Sequence, residues 1–292
     1  CDWSSDVCSS DLCDKLMDEA VSPLIDAWRE SPMGESRRGE AVARRIRRTA
    51  KRTARNIVSQ YADSSFRPAQ MEFVFGQNGL SPIVLELGDG TFVYLQGRID
   101  RVDVMTGGGL RVIDYKSGSR KFDPTLVYWG LQLQLLLYLA AALARVPGSH
   151  AAGFFYCRIA DPTVQTESRI REEVERQIAK KLALSGISLS DVTVLRAQGG
   201  QQAAMVTKDG KPNGRFAASM VDEAGMEKLL TFARNKAAAL ADEIYAGEID
   251  DSPVERETFN ACQNCEYSAI CVFDPLRKPR RRLTAKRLED LT

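Results

Sequence analysis

The chain has 292 residues, with 40 Lys and Arg against 39 Asp and Glu, a single His and 44% hydrophobic content. That balance is ordinary for a water-soluble folded protein and not for a disordered one, and no run approaches the ~20 apolar residues of a membrane span. The lone His150 excludes multi-His zinc hydrolase sites, and seven Cys, an odd number, argue against a complete secreted disulfide framework.

In chain order, residues 1–12 lack the basic start and apolar run of a signal peptide, and no initiator Met is present. They resemble a translated library-adapter leader, so residues 1–12 are expected to be non-native and the chain an N-terminally truncated fragment. From 13 to about 30, Leu16, Met17, Ala20, Leu24 and Ala27 recur at helical spacing, with an irregularity expected at Pro23. A long helix is expected over 35–61. Its segment 37–55 carries nine Arg and Lys against Glu40 alone, and residues 277–287 carry seven more with no acid. Such clusters focus field toward a polyanion even when the whole chain is neutral, so both are expected to contact phosphate.

The period then changes to two. Strands are expected over 71–75, 82–87, 92–104 and 110–116, separated by glycine-rich turns at 76–79, 88–90 and 107–109. No GxGxxG or Walker fingerprint occurs, so these glycines read as hairpin loops and any ATP hydrolysis belongs to a partner. Residues 124–145 read as one helix, apolar almost all round and stopped by Pro147-Gly148. A short strand at 152–158, central to the sheet, precedes helices at 168–184 and 222–246 and a polar loop or hairpin at 197–215. This order predicts a mixed α/β core with helical additions.

Two strand segments carry the chemistry: Gly97-Arg98-Ile99-Asp100-Arg101-Val102-Asp103 and Val112-Ile113-Asp114-Tyr115-Lys116. Asp114 and Lys116 are two apart on a strand and emerge on one face. An acid among Val and Ile is costly to bury without a compensating cation. A divalent metal shared by Asp100 and Asp114 would compensate it, and hard oxygen ligands suit Mg²⁺ or Mn²⁺. Lys116 would then orient or deprotonate water, or stabilise phosphoryl charge. The plain alternative pairs Asp100 with Arg98 or Arg101, and Asp114 with Lys116, as strand-end ion pairs.

Asp100 followed by Asp114-Tyr115-Lys116 resembles the metal site of the PD-(D/E)XK nuclease superfamily, in its RecB-like branch. Gln134 and Tyr138, four apart on one helix face, resemble that branch's Gln-x-x-x-Tyr motif, which borders the active site and holds DNA. The resemblance implies a restriction-endonuclease-like mixed β-sheet core flanked by helices. It also implies Asp100, Asp114, Lys116, Gln134 and Tyr138 as the catalytic set, with Asp100, Asp114 and Tyr115 at the metal. The acid or His that normally completes the metal shell from an N-terminal helix is not found here. Glu72 is not assigned to the metal, and His150 is expected to be exposed.

Cys262, Cys265 and Cys271 form a compact trio that suits zinc, an iron–sulfur centre or plain reduced thiols. Cys157 reads as a core residue. The trio resembles the tail of iron–sulfur nucleases of the same superfamily, above all AddB-type helicase–nuclease B subunits. In those, one Cys before the nuclease motifs and three after them hold a [4Fe–4S] cluster and staple the tail. The resemblance spans roughly 35–280 and is also carried by Tyr61 to Pro68 and Ala246-Gly247-Glu248-Ile249. The fourth cluster Cys is then expected to be missing from this fragment. The implied organisation is a nuclease domain over 13–260 and a Cys module with a basic tail over 261–292.

The expected function is a cytoplasmic, metal-dependent deoxyribonuclease, an exonuclease acting on DNA delivered by an AddA-like A subunit during double-strand break repair. The alternatives are a free-standing CRISPR-associated RecB-like exonuclease, a non-catalytic DNA-binding scaffold, and a zinc-stapled protein without nuclease chemistry. Tyr128, Trp129 and Tyr138 are candidates for base stacking, with core packing as the competing role.

Overall fold

The computed structural model describes residues 10–77, 80–165, 170–256, 259–263 and 265–292. Residues 1–9 of the expected leader, Asn78 and Gly79 of the first expected turn, positions 168–169 of the expected fourth helix, and Asn264 lie outside the described residues. In chain order the elements begin with α1 (Ser10–Arg29), α2 (Arg37–Ala62), β1 (Phe66–Phe75), β2 (Ile83–Glu86), β3 (Phe92–Leu95), β4 (Gly97–Met105) and β5 (Gly109–Lys116). They continue with α3 (Pro124–Tyr128), α4 (Gln134–Arg145), β6 (His150–Arg158), α5 (Arg171–Lys181), β7 (Ser185–Leu189) and α6 (Val192–Gln198). The last are β8 (Met220–Val221), α7 (Glu223–Tyr245), β9 (Val254–Arg256), β10 (Phe259–Asn260) and β11 (Arg281–Arg282). The backbone divides into two compact units: Cys1–Val74 with Arg98–Phe122 and Ala142–Glu223, and Phe75–Gly97 with Asp123–Ala141 and Ala224–Thr292.

The first unit is built on a six-stranded mixed sheet in the order β1-β4-β5-β6-β7-β8. β4 and β5 are antiparallel, β5 and β6 parallel, β6 and β7 antiparallel, and β7 and β8 parallel. β6 is central, as expected, and six consecutive residues of it are buried, which is why it reads as an unbroken apolar run. Ile113, Phe155, Cys157 and Leu184 form one core cluster, with Tyr115 packed against it. α2 is started by Ser36, whose hydroxyl accepts from the Gly39 N–H at 3.0 Å, an N-cap that satisfies one orphan donor of the first turn. α1 continues through Pro23 and begins inside the expected leader, at Ser10.

The second unit contains the β2–β3 hairpin, turned by the Leu87–Thr91 backbone pair (2.8 Å), together with α3, α7 and the three short strands β10-β9-β11. Two expectations are corrected. The strand expected over 92–104 is two strands in different sheets, because β3 pairs with β2 while β4 joins the main sheet. The helix expected over 124–145 is α3 and α4: Gly130 takes φ +80° and its N–H closes onto Val127 O at 2.9 Å, ending the first helix. Continuous apolarity concealed that stop. The polar loop or hairpin expected at 197–215 contains an antiparallel bridge of Val206 to Pro212 closed by the Thr207 N–H on Lys211 O (2.8 Å), set between turns of 3₁₀ helix at Gly200–Met205 and Gly214–Ser219 and preceded by the end of α6. Among the described residues no helix is long and apolar enough to cross a membrane.

Candidate active site

β4 and β5 pair with Arg101 opposite Ile113, Val102 opposite Val112 and Asp103 opposite Arg111. Opposite residues share a face. Ile99, Arg101 and Asp103 therefore lie with Arg111, Ile113 and Tyr115 on one face, and Arg98, Asp100 and Val102 with Val112, Asp114 and Lys116 on the other. The same register carried one step further sets Asp100 against Asp114, where the paired positions end. There the Tyr115 N–H donates to Asp100 Oδ2 at 2.7 Å. A side-chain acceptor thus takes a strand N–H at the point where both acids meet.

Asp114 is 2% exposed, and the Lys116 ammonium lies 2.5 Å from its Oδ2. Burial raises the Asp114 carboxyl above the ordinary carboxylate range; Lys116 opposes that shift and Asp100 adds to it. The acid is thus a desolvated carboxyl beside one cation and one further acid. Of the simple ion pairs considered for these acids, Asp114–Lys116 is present. Those of Asp100 are not: Arg98 Nε pairs with Glu72 at 2.9 Å, and Arg101 turns to the other face.

That other face holds a buried ionic lattice that sequence reasoning missed. Asp103, wholly buried, accepts from Tyr61 Oη (2.9 Å) and Arg111 Nε (2.9 Å) and pairs with Arg101 Nε at 3.1 Å. Arg101 donates to Tyr115 Oη at 2.7 Å, and Arg111 to Gln198 Oε1 at 2.8 Å. The guanidiniums also cover rings, Arg101 over Tyr61 and Arg111 over Phe66 at 4.3 Å. The signal was available in the i, i+2 charges Arg101 and Asp103 within a Val/Ile strand. Because the Tyr115 phenol belongs to this lattice, any service of Tyr115 to a metal is confined to its main-chain carbonyl.

Gln134 and Tyr138 sit on α4 and bond to each other, Gln134 Nε2 donating to Tyr138 Oη at 2.8 Å. Tyr138 meets the Phe75 ring edge-on, centroids 6.0 Å apart. The glycine of the Gly-Arg-Ile-Asp motif is explained at the same place: a Cβ at Gly97 would lie 2.8 Å from the Phe75 ring.

Comparison with known proteins decides the family. A model of the PD-(D/E)XK nuclease superfamily matches residues 5–272. The chain belongs to the PD-(D/E)XK nuclease superfamily. It is similar to the B subunit of the ATP-dependent helicase/deoxyribonuclease of Alkaliphilus metalliredigens (32% identity, 89% of this chain, 24% of that protein). The proteins of the same name from Acetivibrio thermocellus (32%, 92% and 25%) and Caldanaerobacter subterraneus subsp. tengcongensis (35%, 90% and 24%) are similar too. The chain spans about a quarter of the length of these curated relatives.

PD-(D/E)XK nucleases generally use divalent metals, and the donor set here suits one. Two carboxylates converge where a strand pair ends, Asp114 buried against the Lys116 ammonium and Asp100 half-buried at the Tyr115 N–H. Mg²⁺ characteristically takes one or two carboxylates and completes its shell with water and phosphate oxygens. Among the described residues no three His, Cys, Asp or Glu gather as a metal site. In the Cys trio, Cys262 and Cys265 are half-buried, Cys271 is exposed, and all three are free thiols, soft donors that suit a thiophilic metal. Cys157 is a buried core thiol, as expected.

The basic clusters are largely consumed within the nuclease fold. Asp14 and Asp18 of α1 take Arg47, Lys51 and Arg55 of α2, with Lys51 Nζ 2.6 Å from Asp18; Asp161 takes Arg48 and Arg52, and Glu40 takes Arg44. In the tail, Lys278 bridges Asp250 and Asp251, and Arg280 and Arg282 share Glu255. The candidate stacking residues are engaged as well. Tyr128 stacks on Phe232 and is capped by Lys286, while Trp129 Nε1 donates to Thr284 O at 3.2 Å. His150 is exposed at the start of β6, as expected, and Glu72 lies within β1.

Proposed function

We propose that the chain is the metal-dependent deoxyribonuclease part of a helicase–nuclease subunit, cutting phosphodiester bonds of single-stranded DNA as an exonuclease during double-strand break repair. One observation carries the reading: Asp100, Asp114 and Lys116 stand together on one face where the β4–β5 ladder ends. Asp100 and Asp114 would hold Mg²⁺ or Mn²⁺, with the Tyr115 carbonyl as a third oxygen. A bound divalent ion supplies Lewis-acid charge for phosphoryl oxygens and lowers the pKa of its water. Lys116, as an ammonium beside Asp114, would then orient the attacking water by donating to it or balance charge on the phosphoryl oxygens. Gln134 and Tyr138, locked to each other, would hold the DNA.

The names of the relatives support a helicase-linked role over a free-standing exonuclease, with an AddA-like A subunit as partner. We assign 13–260 to the nuclease and 261–292 to the Cys module, where Cys262, Cys265 and Cys271 supply three of the four thiolates of a [4Fe–4S] cluster. The Cys262-x2-Cys265-x5-Cys271 spacing supports that assignment. Iron and acid-labile sulfide in anaerobically purified full-length protein would bear it out; zinc in their place would overturn it.

The decisive experiment measures cleavage of end-labelled single-stranded DNA by the full-length protein with its partner subunit, with and without Mg²⁺. Asp114→Ala and Lys116→Ala should each lower the rate by about 10²–10³-fold or more, the scale of one lost charge-stabilising group. Cleavage that is indifferent to Mg²⁺ or to both substitutions refutes the reading.

A further inference from the structure

We infer that Arg98, held by Glu72, binds the DNA phosphate adjoining the one that is cut; this rests on the nuclease reading above. Arg98 lies two residues before Asp100 on β4, and so on the same face as Asp100, Asp114 and Lys116, roughly 6–7 Å along the strand from Asp100. Its side chain is 67% exposed, in contrast to Arg101 and Arg111, which are sealed in the lattice behind the sheet. A guanidinium with this placement meets a strand of nucleic acid one phosphate away from the reacting centre.

The pairing with Glu72 leaves the binding edge open. Glu72 Oε2 takes Arg98 through Nε, at 2.9 Å. The closest approach of Glu72 is to Nε, and among the described residues neither Nη of Arg98 makes a hydrogen bond. The parallel pair of donors on the far edge matches two phosphate oxygens. Glu72 reaches this position at a cost: it sits within β1 at φ +52°, among the described residues the one non-glycine with positive φ. A residue bearing a Cβ occupies that region only when its surroundings require it, and such positions gather at functional sites. The strain turns a strand residue out of alternation and delivers its carboxylate to Arg98. Glu72 is thus a positioning residue that acts through Arg98.

The test uses the full-length protein with its partner subunit, a single-stranded oligothymidylate as substrate, Mg²⁺, and a salt series from ~50 to ~200 mM. Arg98→Ala should raise KM about tenfold, the effect of removing one charge-assisted hydrogen bond, with kcat within about twofold. The slope of log(1/KM) against log[salt] should become shallower by about 0.7, the signature of one fewer neutralised phosphate on a single strand. Glu72→Gln keeps the cation but frees it, and should raise KM a few-fold without changing the slope. Unchanged KM and slope in Arg98→Ala overturn the inference, and should that variant melt early, Arg98→Gln carries the same comparison. If Asp114→Ala leaves cleavage intact, the nuclease reading itself fails. If Asp114→Ala abolishes cleavage while Arg98→Ala binds normally, only the role of Arg98 fails.

Discussion

Replacing Asp103 by Asn removes one negative charge from a site with no water to take its place. Asp103 is wholly buried and is the shared partner of Arg101, Arg111 and Tyr61. Asparagine fills nearly the same volume and keeps an acceptor for one donor, but it leaves two buried guanidiniums without a counter-charge. Breaking a buried pair by removing one partner costs about 3–5 kcal/mol, against a total stability of ~5–15 kcal/mol for a domain. At ~2–4 °C per kcal/mol for a chain of this class, the melting temperature should fall by roughly 6–20 °C. Thermal unfolding followed by circular dichroism measures this, with Asp100→Asn as the internal control. Asp100 lies on the opposite face of the same strand, half-buried, and its substitution should move Tm by no more than ~2 °C, the surface-substitution range. A melting temperature for Asp103→Asn within that same margin would refute the claim that this lattice holds β4 to β5.

Asp114→Asn should abolish cleavage yet leave Tm unchanged or slightly higher. Burial penalises the ionised acid, so neutralising it relieves a cost that the fold bears for function. The sign follows from the same shift. With its folded pKa above the unfolded value of 3.8, Asp114 stabilises the fold most when protonated, and that contribution is lost as pH rises from the unfolded value through the folded one. Mg²⁺ titrations by calorimetry should therefore show affinity falling on acidification at a higher pH than for an exposed Asp. Asp14 behaves oppositely: its hydrogen bond from Arg55 holds the carboxyl below the usual range. The α1–α2 seam should consequently hold above pH ~4 and loosen as pH falls further, visible as amide exchange gained in α1 before the central strands. Gly97→Ala forces a Cβ to within 2.8 Å of the Phe75 ring and should cost about 1–3 kcal/mol, read from urea unfolding. In metal-free protein, Cys271 should alkylate before Cys157, because burial raises the Cys157 thiol and hides it; mass spectrometry of iodoacetamide adducts reads the order.

Much of the site was legible in the chain. The period of two across 97–116 placed Asp114 and Lys116 on one face, and the acid in a Val/Ile strand marked Asp100 as needing a cation. The central place of β6 followed from its unbroken apolar run. Charge counting misled: the basic stretch at 37–55 read as a surface for DNA, whereas α1 and Asp161 take most of it in ion pairs. Composition records how many cations a segment has, but not which acids from 30 or 120 residues away fold back onto them.

Local pattern alone determined that this protein has a mixed α/β core and that two acids and a lysine share one strand pair, because side-chain direction in a strand is set by backbone geometry within a few residues. Tertiary structure alone decided what stands behind them. The register of β4 against β5 set Asp100 toward Asp114 and Asp103 against Arg111, and it sent Arg98 outward and Arg101 inward. The reason is physical: register and burial are products of long-range pairing, and the same Arg or Asp is a buried tie or an open binding group according to which face that pairing gives it.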